Sequence, residues 1–540
     1  MRWIKKNKTA IILALIMVVS SIWLIKKGMP YQHDGDFHSS RLLSLANSIK
    51  HGDFLALIHD AYYGFGYANG IFYSNFFFYI NAILVAFGMP IMTSFKLLNV
   101  FINIGTVLSI YFVSKSISKD KKISLMITIL YMFAMYRMVD VFVRSAIGET
   151  LAFMVIPIVF LGLYEIVYRD YKKWYIFTIG FVLLLLSHII TTILMAAFVV
   201  IFLLFNYKAL LENKKRLLYL FISGGVGLLL GAFFILPLLQ QYKAGYIQIF
   251  VQGTPIYLED QIVSFKDFLI PTDLFNKHLG FSIILLLPIR FFIKEKDVKD
   301  VNQLKYADIF FILGIVSWIC TTKIFPWANV SSFLGFMQFP WRLLMIATSF
   351  ITFSYLIYFM ILSNKSKKNK IVLRYSYIVI ILVSLLTIGL YSFQYGYKNY
   401  RYLAHNENSV GGGEYLPANI NFDTLYTYES GYTINGNNLK ITSYDKKGTS
   451  VTIKYENGNK EDSVIVPLFN YIGYKAEGAK LSSGENHLIK LTPNSEKGTI
   501  KVYYAGTRLT KVSFIVSGVT LIGLVGYIII ERKKNNGFSK

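Results

Sequence analysis

Cysteine is almost absent from this sequence, whose 540 residues include only Cys320. A single thiol cannot form an intramolecular disulfide, and it excludes metal sites that need several thiolates. Charged residues are also scarce, at 16% of the chain, whereas 54% of the residues are hydrophobic and 16% are aromatic. This composition lies well outside the range of soluble globular proteins.

Sequence motifs of familiar enzyme classes are missing as well. The chain has no Walker motif, no nucleophile elbow and no HExxH zinc motif, and neither heptads nor longer internal repeats are evident. The glycine-rich turn GGGEYLP (411–417) is not a phosphate-binding loop, because the Lys and the Ser or Thr of that motif are missing. Function must therefore be argued from topology and from scattered polar residues.

Long apolar runs recur from end to end, and most are long enough to cross about 30 Å of hydrocarbon. We expect a polytopic α-helical membrane protein of about 12 transmembrane helices. The first run lacks a small-residue cleavage site, which indicates an uncleaved helix rather than a signal peptide. The predicted crossings, three of them short, are 9–25, 92–113, 123–139, 150–168, 175–187, 190–205, 217–239, 281–293, 307–324, 342–361, 376–392 and 512–530.

The net charge of +25 is a topology signal. Roughly half of the Lys and Arg residues lie in seven short loops or tails, which the positive-inside rule assigns to the cytoplasm. Both termini then face the cytoplasm, provided that the Phe- and Tyr-rich run 70–90 is an interfacial helix that does not cross. The segments 140–149, 240–280, 325–341 and 393–511 face outward. The basic loops contain no aromatic platforms, so nucleic-acid binding is excluded.

The outward segment 393–511 differs from the rest of the chain. Stretches such as NLKITSY, TSVTIKY, SVIVPLF and GTIKVYY alternate apolar and polar residues and are separated by turn sequences. This pattern predicts a C-terminal extracytoplasmic β-sandwich. The predicted domains are a transmembrane domain over 1–392, which includes a first outer loop over 28–91, then the sandwich over 393–511, and a final helix with a basic tail over 512–540.

Two aspartates follow the first apolar run in HDGDFHSSR (33–41). Asp34 and Asp36 can coordinate a divalent cation such as Mg²⁺ or Mn²⁺, or one of them can act as a general base. The alternative is that both carboxylates have no functional role and either lie in a solvent-exposed loop or cap the helix that follows. His38 and Arg41 lie at the start of that helix, which favours a functional interpretation.

Further candidates lie at the predicted outer rim. Arg144 can hold a phosphate, or it and Glu149 neutralise each other. His188 is either a satisfied hairpin residue or lines a cavity, and Arg342 is an interface anchor or a second anion site. A carboxylate-and-arginine site suits a substrate that carries a phosphate and a nucleophilic hydroxyl. The predicted substrate-binding residues are His38, Arg41, Arg144, Glu149, His188, Arg342, Glu414 and Tyr415.

Seven short motifs in order resemble known membrane proteins: HDGDFHSSR, GFGYANGIFYSNFFFYI, RSAIGETLAFMVIPIVFLGLY, SHIITTILM, FMQFPWRLL, GGGEYLP and VPLFNYIGYKAEG. The chain resembles bacterial membrane proteins called 6-pyruvoyl-tetrahydropterin-synthase-related, with their YfhO-type relatives, within the GT-C glycosyltransferase superfamily. That name does not imply pterin chemistry here. The sequence FYSNFFFY departs from the proline-rich stretch that relatives carry after the first loop.

The resemblance implies an enzyme that transfers a sugar, with inversion, from a polyprenyl-phosphate donor to a cell-envelope acceptor, glycan or lipid. It implies that Asp34 or Asp36 is the catalytic base, and Asp34 is favoured. An alternative is a transporter or flippase for a lipid-linked sugar, and another is a non-catalytic assembly protein. The transporter alternative predicts charges near mid-membrane and inverted repeats.

Overall fold

A computed structural model describes residues 2–30, 33–251, 256–270, 273, 277–294, 298, 300–363, 367–397, 400–401, 409–425, 428 and 431–537. Its α-helices, in chain order, are α1 (Arg2–Ser21), α2 (Gly35–Lys50), α3 (Asn69–Phe72), α4 (Tyr79–Ala86), α5 (Ile91–Ser118), α6 (Lys121–Met132), α7 (Met135–Met138), α8 (Ile147–Tyr168), α9 (Trp174–Ser187), α10 (Ile189–Phe205), α11 (Tyr207–Glu212), α12 (Lys214–Leu230), α13 (Ala232–Lys243), α14 (Gln248–Val251), α15 (Phe265–Leu269), α16 (Phe281–Ile284), α17 (Val301–Ile319), α18 (Trp327–Leu334), α19 (Leu343–Ser363), α20 (Lys367–Tyr391), α21 (Phe422–Leu425) and α22 (Arg508–Gly537).

Several of these helices can cross a membrane. Within the described part of the chain, six are long and apolar enough: Asn7–Ile25, Ile91–Ser118, Ile147–Tyr168, Pro340–Ser363, Asn369–Tyr395 and Arg508–Lys534. Two bent pairs, 121–144 with a 50° bend and 214–243 with a 69° bend, raise the number to eight if each is one span. The coarse prediction of a many-helix membrane protein is confirmed, whereas the count of twelve stays a prediction.

The short apolar helix Phe76–Ala86 falls in the run 70–90, for which an interfacial helix was expected. With 1.5 Å of rise per residue, a helix of this length is too short to cross 30 Å of hydrocarbon. The predicted crossing 307–324 overlaps α17 only in part, because α17 begins at Val301 and ends at Ile319, and the crossing itself stays a prediction. Cys320 therefore caps that helix instead of lying within it.

The described residues form two compact units, here called the bundle unit and the sandwich unit. The bundle unit comprises 1–35, 96–227 and 254–403, and the sandwich unit comprises 36–95, 228–253 and 404–540. The predicted domain boundaries stay a prediction, and part of the predicted 393–511 domain, such as 402–408, lies outside the described residues.

In the bundle unit, glycines allow helices to pack closely. A Cβ on Gly162 of α8 would lie 2.3 Å from the backbone nitrogen of Phe177 in α9, and a Cβ on Gly314 of α17 would lie 3.2 Å from that of Ile351 in α19. Both distances are shorter than ordinary van der Waals contact, so a larger residue would force these helices apart. A two-residue antiparallel pairing of strands β1 (Met29–Pro30) and β2 (Tyr400–Arg401) belongs to the same unit.

The sandwich unit contains two four-stranded antiparallel sheets. Their strands are β3 (Thr433–Asn435), β4 (Lys440–Lys447), β5 (Ser450–Glu456), β6 (Ser463–Phe469), β7 (Tyr474–Glu477), β8 (Ala479–Ser483), β9 (Leu488–Pro493) and β10 (Gly498–Tyr504). The strand orders are β4-β5-β10-β7 and β3-β6-β9-β8. Both sheets contribute fully buried side chains to one core, among them Ile453, Ile500, Val464 and Leu491. The predicted C-terminal β-domain is therefore confirmed, and β6 and β10 coincide with two of the predicted strands.

Candidate functional site

The chain reverses direction between α7 and α8, and this turn gathers charged side chains in the bundle unit. After α7 the backbone continues as a π-helical segment, Val139–Arg144, and then Ser145 adopts a left-handed conformation with φ of 52°. The helix α8 begins two residues later, with Glu149 in its first turn. This reversal brings Glu149 back to Arg144. Short π-helical segments are often found at functional sites.

Arg144 lies between two buried carboxylates. One of its terminal nitrogens, Nη1, donates to Asp140 Oδ1 at 2.7 Å and to Glu149 Oε1 at 2.8 Å. Only 5% of the Arg144 side chain is exposed, and the exposed fractions of Asp140 and Glu149 are 0% and 2%. A buried ion pair with this geometry is held together by charge-assisted hydrogen bonds.

Glu149 is shared with a second arginine from a distant part of the chain. Its Oε1 accepts a hydrogen bond from Arg342 Nε at 3.1 Å, and its Oε2 accepts one from the Tyr136 hydroxyl at 2.7 Å. Arg342 Nη1 also donates to the carbonyl oxygen of Met337 at 2.7 Å and to Gln338 Oε1 at 2.8 Å. Glu149 thus accepts hydrogen bonds from the guanidinium groups of both Arg144 and Arg342.

Asp34 forms the exposed edge of this cluster. Its backbone N–H donates to the carbonyl oxygen of Arg144 at 2.8 Å, and that of His33 donates to Val143 at 3.3 Å. Asp34 Oδ2 lies 3.5 Å from Arg144 Nη2, and 42% of the Asp34 side chain is exposed. The cluster therefore presents one accessible carboxylate that is anchored to a buried cation.

Lys277 and Trp341 lie beside the same cluster. Arg144 Cζ is 4.5 Å and Lys277 Nζ is 5.1 Å from the centre of the Trp341 ring. Lys277 and Trp341 also line a cavity of about 170 Å³ together with residues 260–264 and Asp267. Burial lowers the pKa of Lys277, and the neighbouring Arg144 cation lowers it further.

His188 caps the helix α10. Its Nδ1 lies 2.8 Å from the Thr191 hydroxyl and accepts a hydrogen bond from the Thr191 backbone N–H at 3.3 Å. These contacts match the alternative in which the histidine is a satisfied hairpin residue. Its ring nevertheless lies within electrostatic reach of Glu149 and Arg342.

The other half of HDGDFHSSR lies in the sandwich unit. Asp36 is in the first turn of α2, where a carboxylate stabilises the helix dipole, and its carbonyl oxygen accepts from the Ser39 hydroxyl at 3.0 Å. Arg41 is buried, and its Nη2 donates to the carbonyl oxygens of Tyr73, at 2.9 Å, and of Ser74. The site hypothesis for Asp36 thus has a simpler structural alternative.

Aromatic rings enclose Arg41 on two sides. Its guanidinium carbon lies 4.1 Å from the Tyr73 ring centre and 4.3 Å from that of Phe78, and the His38 ring packs beside both. Such cation–π contacts compensate for part of the cost of burying the charge. Burial lowers the pKa of Arg41 to about 10. Arg41 and His38 therefore have structural partners in this unit.

The GGGEYLP turn packs into the sandwich unit. The Tyr415 ring stacks on Phe72 with centroids 5.1 Å apart, and its carbonyl oxygen accepts from the Tyr471 hydroxyl at 3.0 Å. The Glu414 carboxylate folds back over the turn, because a Cβ on Gly412 would lie 3.2 Å from Glu414 Oε1. Both residues take part in the packing of this turn.

Comparison with known proteins decides the family. The model of the 6-pyruvoyl-tetrahydropterin synthase related domain, a membrane protein family, matches residues 71–395. The chain belongs to this family. It is also 24% identical over 610 aligned residues to an uncharacterized protein of Lactococcus lactis subsp. cremoris, and the alignment covers 97% of this chain and 96% of that protein. The resemblance to 6-pyruvoyl-tetrahydropterin-synthase-related membrane proteins is confirmed, whereas a place in the GT-C superfamily stays a prediction.

The structure of this family member divides the predicted site residues into two sets. Asp34, Arg144, Glu149 and Arg342 form one connected cluster, with His188 nearby, in the bundle unit. The second set lies in the sandwich unit and comprises Asp36, His38, Arg41, Glu414 and Tyr415. Of the two interpretations of Arg144 and Glu149, the ion pair is what the structure contains. The catalytic and binding roles of all ten residues stay predictions.

Sequence reasoning missed three members of the cluster, Asp140, Tyr136 and Lys277. Asp140 had a usable signal, because it precedes Arg144 by four residues at the end of an apolar run. Tyr136 and Lys277 had none, since aromatic and basic residues are common throughout the chain and only tertiary structure brings these two to Glu149 and Trp341.

A divalent cation at Asp34 and Asp36 stays a prediction. The described part of the chain contains no group of three or more His, Cys, Asp or Glu side chains placed to hold a metal ion. The positive charge next to the Asp34 carboxylate is the Arg144 guanidinium, and hard divalent cations take six or more oxygen ligands.

Proposed function

We propose that this membrane protein is a GT-C-type glycosyltransferase that moves a sugar from a polyprenyl-phosphate donor to a cell-envelope acceptor. The observation that carries the proposal is the Asp34 carboxylate, which is 42% exposed yet anchored to the buried Arg144. A general base must be accessible to the acceptor and fixed in position, and Asp34 meets both conditions. Membership of a membrane protein family and several helices long and apolar enough to cross a bilayer add support.

In the proposed reaction, an acceptor hydroxyl attacks the anomeric carbon of the sugar. The new carbon–oxygen bond forms as the bond from that carbon to the phosphate oxygen breaks, and the phosphate leaves with the electron pair. Asp34 accepts the proton of the attacking hydroxyl. One displacement inverts the anomeric configuration. Each of these steps is assigned to side chains of this chain.

The proposal includes a topology. Twelve crossings would place both termini in the cytoplasm, and Asp34, the 140–149 turn and the β-sandwich outside, where a cell-envelope acceptor is found. The positive-inside distribution of Lys and Arg supports this orientation. The acceptor is a glycan or a lipid, and the bilayer supplies the donor.

The test is a transfer assay in membranes that contain wild-type protein, Asp34→Asn or Asp36→Asn. A panel of polyprenyl-phosphate sugars serves as donors, and donor consumption and product formation are both followed. We expect Asp34→Asn to lower the rate by about 10²–10⁴-fold, the usual contribution of a general base. Asp36→Asn is the comparison variant, since Asp36 is the other candidate base, and we expect it to lose less activity than Asp34→Asn. Equal rates for wild type and Asp34→Asn at equal expression would contradict the assignment.

A second candidate function is transport of a lipid-linked sugar. The observation that favours it is the 50° break between α6 and α7, next to the buried charges of Arg137 and Asp140. Broken helices with buried charges occur at the substrate sites of transporters. Vesicles that move a fluorescent lipid-linked sugar between leaflets without cleaving it would support this function and contradict transfer.

A further inference from the structure

The three cations at the bundle-unit cluster do not have equivalent surroundings. Arg144 and Arg342 each donate to the Glu149 carboxylate, and Arg144 also pairs with Asp140. Lys277 differs from both, because within the described residues no carboxylate oxygen is close enough to Nζ to form an ion pair. Its positive charge is partly buried beside Trp341, and the Asp140 carboxylate lies within electrostatic reach without forming an ion pair with it.

The position of Lys277 places its charge where a ligand can bind. Lys277 lines the cavity of about 170 Å³, and His33, next to the proposed base, lies within its electrostatic reach. The cavity is large enough for a small polar group but smaller than the usual drug-sized pocket. A partly buried ammonium that lines a cavity and forms no ion pair is suited to bind an oxyanion, because Lys acts as a point charge for phosphate.

Two carboxylates line the same cavity as Lys277. They belong to Asp260 and Asp267, and Asp267 Oδ2 accepts a hydrogen bond from the Ser264 hydroxyl at 2.6 Å. Carboxylates repel a phosphate but accept hydrogen bonds from sugar hydroxyls. We therefore expect a sugar phosphate to place its phosphate beside Lys277 and its sugar hydroxyls beside Asp260 and Asp267.

We propose that Lys277 binds the phosphate group of a lipid-linked sugar donor and holds the phosphate after it leaves. The identity of the donor rests on the proposed function, whereas the anion site rests on the surroundings of Lys277. Breaking the sugar–phosphate bond adds negative charge to the phosphate, so Lys277 stabilises the leaving group more strongly than the intact donor. Arg144 and Arg342 are already bound to Glu149, and Arg144 positions Asp34.

The test measures binding apart from catalysis. Purified full-length protein in detergent is titrated with polyprenyl phosphate, with the uncharged polyprenol, and with inorganic phosphate. Wild type is compared with Lys277→Met and Lys277→Arg. We expect Lys277→Met to weaken polyprenyl phosphate binding at least tenfold and to leave polyprenol binding unchanged, and Lys277→Arg to restore part of the affinity. Weakened binding of inorganic phosphate as well would indicate a site for the phosphate itself.

Lys323→Met is the matched control. Lys323 also lies over an aromatic ring, with Nζ 5.5 Å from the Phe265 ring centre, but it does not line the cavity. The inference is overturned if Lys277→Met binds polyprenyl phosphate as wild type does, or if Lys323→Met weakens binding equally.

The two proposals can fail separately. Suppose that wild type and Lys277→Met transfer sugar at the same rate and bind polyprenyl phosphate equally well. The proposed phosphate site is then wrong, and the glycosyltransferase proposal stands. Suppose instead that wild type transfers no sugar, and that Lys277→Met binds polyprenyl phosphate more weakly than wild type does. The phosphate site then stands and the glycosyltransferase proposal fails.

Discussion

Replacing Glu149 by Gln removes the negative charge that Arg144 and Arg342 share in the bundle unit. The side chains of the three residues are exposed by only 2%, 5% and 9%, so water cannot replace the lost carboxylate. Removing one partner of a buried ion pair typically destabilises a protein by about 3–5 kcal/mol, because the remaining charge is left uncompensated. Since Asp140 still pairs with Arg144, we expect a loss of about 3 kcal/mol.

Glu165→Gln is a matched control on the same helix, α8. Glu165 pairs with Arg169 at 3.1 Å and with Lys173 at 3.6 Å, but the side chains of these partners are 31% and 39% exposed. The Glu165 side chain is itself only 4% exposed, but water can solvate the charges of both partners when the carboxylate is lost, so we expect a smaller cost than at Glu149. The same chemical change on one helix should therefore have clearly different costs.

The assay is equilibrium unfolding of the purified protein in mild detergent micelles with increasing denaturant, followed by circular dichroism. Wild type, Glu149→Gln, Glu165→Gln and the double variant Glu149→Gln/Arg342→Gln are compared. In the double variant we expect part of the loss to be recovered, since one uncompensated cation is also removed. If Glu149→Gln costs no more than Glu165→Gln, the description of the cluster as a buried, mutually neutralised network is wrong.

Three further predictions concern packing and pH. Gly162→Ala should destabilise the protein by about 1–3 kcal/mol, because the new Cβ would lie 2.3 Å from the α9 backbone. Gly224→Ala should be neutral or slightly stabilising, because its Cβ would have nothing within 4 Å. Thermal unfolding of both variants checks this prediction. Burial, and then the charge of a nearby arginine, lower the pKa of His59 to about 3, so the protein should lose stability as pH drops from about 6.5 toward 3. His59→Gln should reduce this acid sensitivity, whereas His51→Gln should not. Unfolding midpoints measured across this pH range would reveal the difference. Because burial lowers the pKa of Lys277, polyprenyl phosphate binding should weaken at a lower pH than it would with an ordinary lysine. Affinity measured between about pH 7 and about pH 10 tests this. A constant affinity over that range would contradict the role of this ammonium.

Local sequence signals were sufficient to predict the sheets of the sandwich unit. SVIVPLF and GTIKVYY coincide with the strands β6 and β10, because β-branched and aromatic residues between turn sequences determine strand and hairpin positions locally. The long apolar helices were equally accessible from length and hydropathy. The break between α6 and α7 was not, since the residues around it continue the apolar run without a proline or glycine.

The candidate site was predictable only in part. Arg144 and Glu149 are five residues apart, so a mutual contact could be considered from the sequence, whereas Arg342 is separated from Glu149 by almost two hundred positions. Asp34 and Asp36 looked equivalent in HDGDFHSSR. Their surroundings differ because the boundary between the two units falls at Gly35, and only tertiary structure reveals that boundary.

The most direct test of the central claim uses purified protein in lipid nanodiscs and a radiolabelled polyprenyl-phosphate sugar. The measured quantity is the polyprenyl phosphate released in the presence of an acceptor extract, for wild type and for Asp34→Asn. Our account predicts release by wild type, inverted configuration in the product, and a loss of at least about 100-fold in Asp34→Asn. Equal release by the two proteins, or intact donor recovered from wild type with every sugar tested, would contradict it.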